Sequence, residues 1–331
     1  MGIGIRHNAK QYGNRLNSAM LGITSLLLAT ATPFALAGVH TSHNASGVVA
    51  QAATRVALAQ NYTFQTVDAS GKDVNNNFQT TWLNNSGLII QSYFGTDTPF
   101  GHTAALLGST WTIIDVPGAG LTFGATPNSE GQVALSYGEA DEFYSHLAIW
   151  QRDQFTLLPD PPGYFFYEAF AINERGQVSA LIFDSAGNGF CFVGDNLHHS
   201  IFGYPGSDVL YTVPFMTSDS GITVGDYFLS DGSFHAFRYD GTRFFNIDVP
   251  GGVFSAAAGI NNRGEIIGGY LNSDGVFVGF RLYQGEYTNV VVPDSLQTLP
   301  YSLTDNGQIA GTYQAIDGSW HGFVATPVSG R

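Results

Sequence analysis

The chain carries 331 residues, 41 of them Gly and 25 Phe, with only 11% charged and a formal net charge of −14. High Gly and aromatic content with few Lys and Glu suits many short strands and argues against long helices. So acidic a surface repels phosphate backbones and weighs against nucleic acid as a partner, and a chain of this length buries an ample core without metal or disulfide.

From the N-terminus, residues 1–37 read as a signal peptide. Arg6, Lys10 and Arg15 form a basic start with no acidic residue, Leu21 to Ala29 is an apolar run, and Ala35-Leu36-Ala37 is a small-x-small cleavage signal before Gly38. A retained membrane anchor is the alternative, but the apolar run is short and interrupted by Thr and Pro33. Ala57-Leu58-Ala59 fits the same cleavage pattern, so two mature starts stay open. Removing residues 1–37 takes three of the 12 basic residues and no acidic one, leaving 9 against 26 and a net charge of −17. The mature chain then has no membrane span. Residues 38–60 are small and polar and read as a flexible leader.

From residue 61 to 331 the chain is one domain of repeats. A glycine recurs at Gly87, Gly131, Gly176, Gly221, Gly264 and Gly307, with steps of 44, 45, 45, 43 and 43 residues. A second ladder, Pro117, Pro162, Pro205, Pro250 and Pro293, keeps the same phase. The clearest unit, 253–294, holds four short β-branched and aromatic runs separated by Asn-Asn-Arg-Gly, Ser-Asp-Gly and Gln-Gly. Gly and Asn tolerate positive φ, so each separator is a tight turn and each unit a four-stranded antiparallel meander. A period near 44 with four strands per unit predicts an all-β, six-bladed β-propeller. The repeats run about 75–117, 118–162, 163–205, 206–250, 251–293 and 294–326. The last lacks a fourth strand, and Tyr62-Thr-Phe-Gln-Thr-Val-Asp68 matches the fourth strands Arg243 to Asp248 and Thr110 to Asp115. Strand 62–67 is therefore expected to close the ring, hiding two sheet edges. An open row of hairpins is the alternative.

Recurrent polar positions read mainly as structure. His102, His146, His235 and His321 occupy one position of the third strand, far from the axis, where Phe190 and Val278 substitute. Each is expected to bond a neighbouring group rather than a shared metal. Asp97, Asp141, Asp231, Asp274 and Asp317 lie ten residues after their ladder glycines, and Asp184 eight after its own, as turn formers. A hard cation such as Ca2+ wants several oxygen ligands, and Asp141 beside Glu139 and Glu142 is the one crowded place. No other cofactor and no metal site is assigned. Cys191, the only cysteine, sits between Phe190 and Phe192 and reads as a small buried residue. His198 and His199 lie in an irregular fourth strand and read as a solvated edge.

Residues that break the repeat carry more information about ligands. Tyr164, Phe165, Phe166 and Tyr167 with Glu168, then Tyr204 and Tyr211, and the acidic run Gly138 to Phe143 all fall on the second-to-third and fourth-to-first loops of units two to four. Aromatic platforms beside carboxylates offer sugars or peptides stacking surface and hydrogen-bond acceptors. Tyr164, Phe166, Tyr167, Tyr204 and Tyr211 are the candidate ligand-binding residues. Filling space between blades is the alternative role for these rings.

His235-Ala236-Phe237 and His321-Gly322-Phe323, the turns Gly259 to Gly264 and Ala171 to Gly176, and the endings Ile247 to Gly251 and Ile114 to Gly118 form one pattern. It resembles the HAF family of probable extracellular repeat proteins, and the likeness spans all six units. The resemblance implies export and a repeat-built β-fold, and it supplies no activity or catalytic residue. Two functions remain open. One is a secreted, non-catalytic, monomeric binding module for an extracellular glycan or protein. The other is a polysaccharide hydrolase or lyase using Glu139, Asp141, Glu142 and Glu168. No nucleophile elbow, zinc motif or phosphate loop gives a positive reason to claim an enzyme.

Overall fold

The computed structural model describes residues 56–57, 62–69, 74–95, 101–138, 145–195 and 197–328. The expected signal segment, both cleavage points, Asp97 and the acidic candidates Glu139, Asp141 and Glu142 lie outside them. Two short strands come first, β1 (Val56–Ala57) and β2 (Tyr62–Thr66). Unit one is β3 (Val74–Leu83), β4 (Ile89–Gly95), β5 (Gly101–Leu107) and β6 (Thr110–Ile113). Unit two is β7 (Leu121–Gly124), β8 (Val133–Gly138), β9 (His146–Gln151) and β10 (Gln154–Leu158). Unit three is β11 (Tyr164–Ile172), β12 (Val178–Asp184), β13 (Gly189–Gly194) and β14 (His199–Phe202). Unit four is β15 (Val209–Thr217), β16 (Thr223–Leu229), β17 (Phe234–Tyr239) and β18 (Phe244–Asn246). Unit five is β19 (Phe254–Ile260), β20 (Ile266–Leu271), β21 (Phe277–Tyr283) and β22 (Glu286–Val290). Unit six supplies β23 (Ser295–Leu303), β24 (Ile309–Ala315) and β25 (Trp320–Pro327).

These strands form five sheets. Units three and four share an eight-stranded sheet, joined by the single parallel pair Gly189↔Tyr211. The last sheet runs β2-β25-β24-β23, so the N-terminal strand takes the fourth position of unit six, Tyr62 opposite Pro327 and Thr66 opposite Phe323. The closing strand ends one residue earlier than expected, although the Val67 N–H still donates to Gly322 O at 2.9 Å. Part of the expected leader is not free. Val56 and Ala57 pair in parallel with Tyr287 and Thr288 of β22, because that outer strand offers unpaired backbone groups.

The turns form for the reason their residues suggest. The ladder glycines adopt φ between 75° and 87°, which costs a residue without Cβ little. The first strand of several units carries a register irregularity, at Ala257/Gly259 in unit five. It presses the Ala256 carbonyl against β20, where a Cβ on Gly268 would meet that oxygen at 1.9 Å. Only glycine fits there.

Neighbouring units bury their faces against one another. Ile90, Ala105 and Ile114 pack on Val133, Leu135 and Trp150 between units one and two. Units two and three share a cluster around Leu147, Phe166 and Phe192, units three and four around Cys191, Tyr204 and Phe237. Ile247 meets Ile266 and Phe280, and Ile267 meets Ile309 and Phe323, at the next two junctions. Leu83 of unit one lies against Ala310 and Val324 of unit six. Each fully buried Leu, Ile or Phe contributes about 1.5–3 kcal/mol, so the interfaces between units, more than any single meander, hold the fold. The described chain is all-β and β-propeller-like.

Candidate ligand-binding site

The first turns of all six units converge. Each begins with Asn84, Asn128, Asn173, Ser218, Asn261 or Thr304, whose side-chain oxygen accepts N–H groups of its own turn, as Asn84 Oδ1 does from Ser86 and Leu88. An asparagine also has an NH2 to spare. Asn84 Nδ2 donates to Asn128 O at 2.5 Å, Asn128 Nδ2 to Asn173 O at 3.1 Å, and Asn261 Nδ2 to Thr304 O at 3.1 Å.

The next residue of each turn builds a circuit. The Ser129 N–H donates to Glu174 Oε2 (2.8 Å), Glu174 N–H to Asp219 Oδ1 (3.1 Å), and Asp219 N–H to Asn262 Oδ1 (3.1 Å). The Asn262 N–H donates to Asp305 Oδ1 (2.8 Å) and Asp305 N–H to Asn85 Oδ1 (2.6 Å), crossing from unit six to unit one. Asn85 Nδ2 also reaches Glu174 Oε1 at 3.3 Å, in unit three. The turns thus knot together over a cavity of about 30 Å3 lined from every unit, room for about one water. The ladder glycines made the turns legible in the sequence, but the circuit was missed. Its signal is a polar side chain two residues before each ladder glycine, an acceptor in every unit but the second.

The opposite end of the innermost strands lies about 26 Å away along β11, eight steps of about 3.3 Å. There the structure divides the expected aromatic cluster. Tyr164 is half-buried, edge-on to Phe190 at 6.0 Å, and Tyr167 is half-buried, edge-on to Phe183 at 5.8 Å. Phe165 is 38% exposed. Phe166, Tyr204 and Tyr211 correct the expectation, because they are 0%, 8% and 4% exposed. Phe166 fills the core between units two and three, Tyr204 stacks on Tyr227 at 3.6 Å, and Tyr211 lies on Phe228 at 4.6 Å. Such rings have no free face for a ligand.

Glu168 stands at the irregularity of β11, where register shifts between Phe166 and Glu168. The residue keeps partial exposure, but its carboxyl is enclosed, and desolvation pushes its pKa up to about 8. It therefore stays protonated and neutral at neutral pH, a hydrogen-bond donor. Burial also raises the Tyr167 phenol, with the Glu168 charge adding to it.

Three histidines pair with aspartates. His102 Nδ1 lies 2.6 Å from Asp115, His235 Nδ1 2.7 Å from Asp248, and His321 Nδ1 2.8 Å from Asp68. The same carboxylates accept the N–H of Thr103, Ala236 and Gly322. The rings rest on Tyr93, Tyr227 and Tyr313. Where His is replaced, by Phe190 or Val278, the aspartate position holds Gly203 or Val291, so the partners are lost together. Asp231, Asp317 and Asp184 serve their turns, accepting N–H groups of Ser233, Ser319 and Ala186, whereas Asn272 does this for the turn containing Asp274. Among the described residues no group of three or more His, Cys, Asp or Glu is arranged to hold a metal.

Cys191 is buried, its Sγ 3.6 Å from Thr212 O, and burial pushes the thiol well up. His199 is exposed and stacks on Phe192 at 5.2 Å. Asp226 is 3% exposed and its carboxyl is pushed well up by burial. It accepts the Ala257 N–H at 3.0 Å, as Ser92 and Ser136 at the same repeat position accept those of Gly124 and Ala169, so its role is to join units.

Strands, register and convergent turns define a β-propeller-like protein. No protein-family model matches the chain, and no curated protein does. Among solved structures, AofleA from Arthrobotrys oligospora aligns over 80% of this chain and 86% of its own, with TM-score 0.50 and 10% identity. A Trypanosoma rangeli sialidase in complex with sialic acid aligns over 83% of this chain and 60% of its own, with TM-score 0.47 and 8% identity. The fucose-specific lectin from Aleuria aurantia aligns over 65% and 77%, with TM-score 0.42 and 13% identity. At these identities the likeness concerns the fold alone.

Proposed function

We propose that this is an exported, six-bladed β-propeller of the HAF kind, closed by the N-terminal strand, which binds an extracellular glycan or protein as a monomer. The observation that carries the binding site is the asymmetry of the two ends. One is tied together by the circuit through Asn85, Glu174, Asp219, Asn262 and Asp305. The opposite end of β11 carries the half-buried Tyr164, with the half-buried Tyr167 and the enclosed Glu168 further along the strand, none of them repeated in another unit. A phenol ring stacks on the apolar face of a sugar, and a neutral carboxyl donates to its hydroxyl or ring oxygen without introducing charge. A neutral glycan is the ligand this chemistry favours, since the net charge of −14 repels polyanions.

Glycan-array binding with wild type, Tyr164→Ala and Tyr167→Ala tests the site, with fucosides and sialosides among the probes. Losing a stacking ring costs about 0.5–1.5 kcal/mol, a few-fold in affinity. Both variants are expected to lose retention, with only a modest fall in melting temperature from the lost edge contacts to Phe190 and Phe183. Normal retention in both, with lowered melting, would place these rings in packing and overturn the assignment.

The raised pKa of Glu168 also suits a general acid in polysaccharide cleavage. Turnover of a soluble polysaccharide that falls as pH rises through about 8, and is lost in Glu168→Gln, would support that second role. Absence of turnover leaves binding as the function.

A further inference from the structure

At the seam between units six and one, three side chains form a hydrogen-bonded row. His321 Nδ1 is 2.8 Å from Asp68 Oδ2, and His321 Nε2 is 2.8 Å from Ser319 Oγ. The parts come from opposite ends of the chain, Asp68 from just after β2, Ser319 from the turn before β25, and His321 from β25. Asp68 is held by the Gly322 N–H at 3.0 Å and by Gln79 Nε2 at 2.7 Å, and the imidazole rests on Tyr313 at 5.4 Å. We propose that Ser319 is an activated nucleophile with His321 as its general base and Asp68 as the positioning residue, and that this row hydrolyses carboxylic esters with good leaving groups.

A neutral imidazole that donates its Nδ1 proton to Asp68 has a lone pair at Nε2, directed at the hydroxyl. A serine-histidine-aspartate row is recognised by such geometry, whatever the order of its members in the chain. Ser319 Oγ adds to the ester carbonyl carbon while its proton passes to Nε2. The tetrahedral adduct collapses, breaking the C–O bond to the alcohol, which leaves with that proton. Water then adds to the acyl-serine, gives a proton to Nε2, and the carboxylic acid departs as the hydroxyl is restored. Ser319 and His321 are only half-buried, and Ile316, 75% exposed in the same turn, offers apolar surface for an acyl or aryl group. Activated esters are specified because their leaving groups need little protonation.

The repeat supplies its own control. His–Asp pairing in units one and four shows that the pair is an element of the fold. Unit four also has a serine two residues before its histidine, and Ser233 Oγ donates to Asp231 at 2.7 Å just as Ser319 Oγ donates to Asp317; what unit six adds is the 2.8 Å contact of Ser319 Oγ with His321 Nε2. In unit six Asp317 Oδ1 lies 2.5 Å from Ser319 Oγ, so this carboxylate and His321 compete for one hydroxyl proton. Removing Asp317 leaves the base as acceptor.

The test uses the full folded chain, a fluorophosphonate probe and p-nitrophenyl acetate, with intact mass and peptide mapping. Expected are a single adduct on Ser319, its loss in Ser319→Ala, and an unchanged rate in Ser233→Ala. Asp317→Ala should label several-fold faster. His321→Ala should label at least about tenfold slower and recover with added imidazole, a rescue that a purely structural histidine would not show. No adduct on Ser319 in folded wild type, labelling spread over several serines, or His321→Ala labelling at the wild-type rate would each overturn the proposal. Should His321→Ala fail to fold, the faster labelling of Asp317→Ala decides alone, and an unchanged rate there refutes the competition.

Discussion

Asp68→Ala is the perturbation that most directly tests how the N-terminal strand is tied to units six and one. The carboxylate accepts three hydrogen bonds, from Gly322 N (3.0 Å), His321 Nδ1 (2.8 Å) and Gln79 Nε2 (2.7 Å), and so joins the N-terminal strand to units six and one. Asp115, its counterpart within unit one, accepts from Thr103 N and His102 only. Bonds to charged groups contribute about 1.5–3 kcal/mol each when buried. The Asp68 and His321 side chains are 36% and 30% exposed, so that pair counts for little after solvent screening. Gln79, 2% exposed, keeps only Trp320 O at 3.3 Å for its amide once Asp68 is gone. The loss comes to about 2–3 kcal/mol for Asp68→Ala and about 1 kcal/mol for Asp115→Ala. At about 2–4 °C per kcal/mol, calorimetry should show a drop of roughly 4–12 °C for the first and clearly less for the second. Amide exchange should quicken in β25 for Asp68→Ala and stay unchanged in β20. Equal melting shifts for the two variants, without faster exchange in β25, would refute the reasoning.

Other outcomes follow from burial and charge. Because the folded pKa of Glu168 is raised to about 8, its contribution to stability is full below the unfolded carboxylate range and is lost as pH rises through 8. Glu168→Gln should remove that slope, gaining on wild type in melting temperature at pH 8.5 while matching it at pH 4. Burial of the His235 ring opposes its charge, yet the hydrogen bond and charge of Asp248 outweigh burial and raise its pKa. Its stabilisation is present below the usual histidine range and lost as pH rises through the raised value, so melting scans across that window should flatten in His235→Val/Asp248→Val, which copies unit five. Cys191 should resist a thiol reagent such as dithionitrobenzoate in the native protein and react in full in denaturant, because the thiol is enclosed and held protonated.

How much of this was legible in the residues follows from the range of each interaction. Turn chemistry is local, so the Gly and Pro ladders gave strand number, period and turn positions, and the match of residues 62–68 to 243–248 placed the N-terminal strand beside β25. The likeness extended to chemistry, since Asp68 meets His321 as Asp248 meets His235. Burial of a ring is set by the neighbouring unit. Tyr164 and Tyr204 look alike in sequence, yet a register irregularity and the approach of unit four leave one half-buried and press the other onto Tyr227. The repeat marks the positions of the circuit and of the Asp68–His321 pair, but that Asn85 meets Asp305 across 220 residues and that Ser319 Oγ lies 2.8 Å from His321 Nε2 are contacts only the folded chain shows. Local sequence determined the repeating meander and its turns. The packing of one meander on the next decided which rings are covered, which carboxyl stays protonated and how the first turns tie together, since each depends on groups that only the tertiary fold brings within a few ångströms.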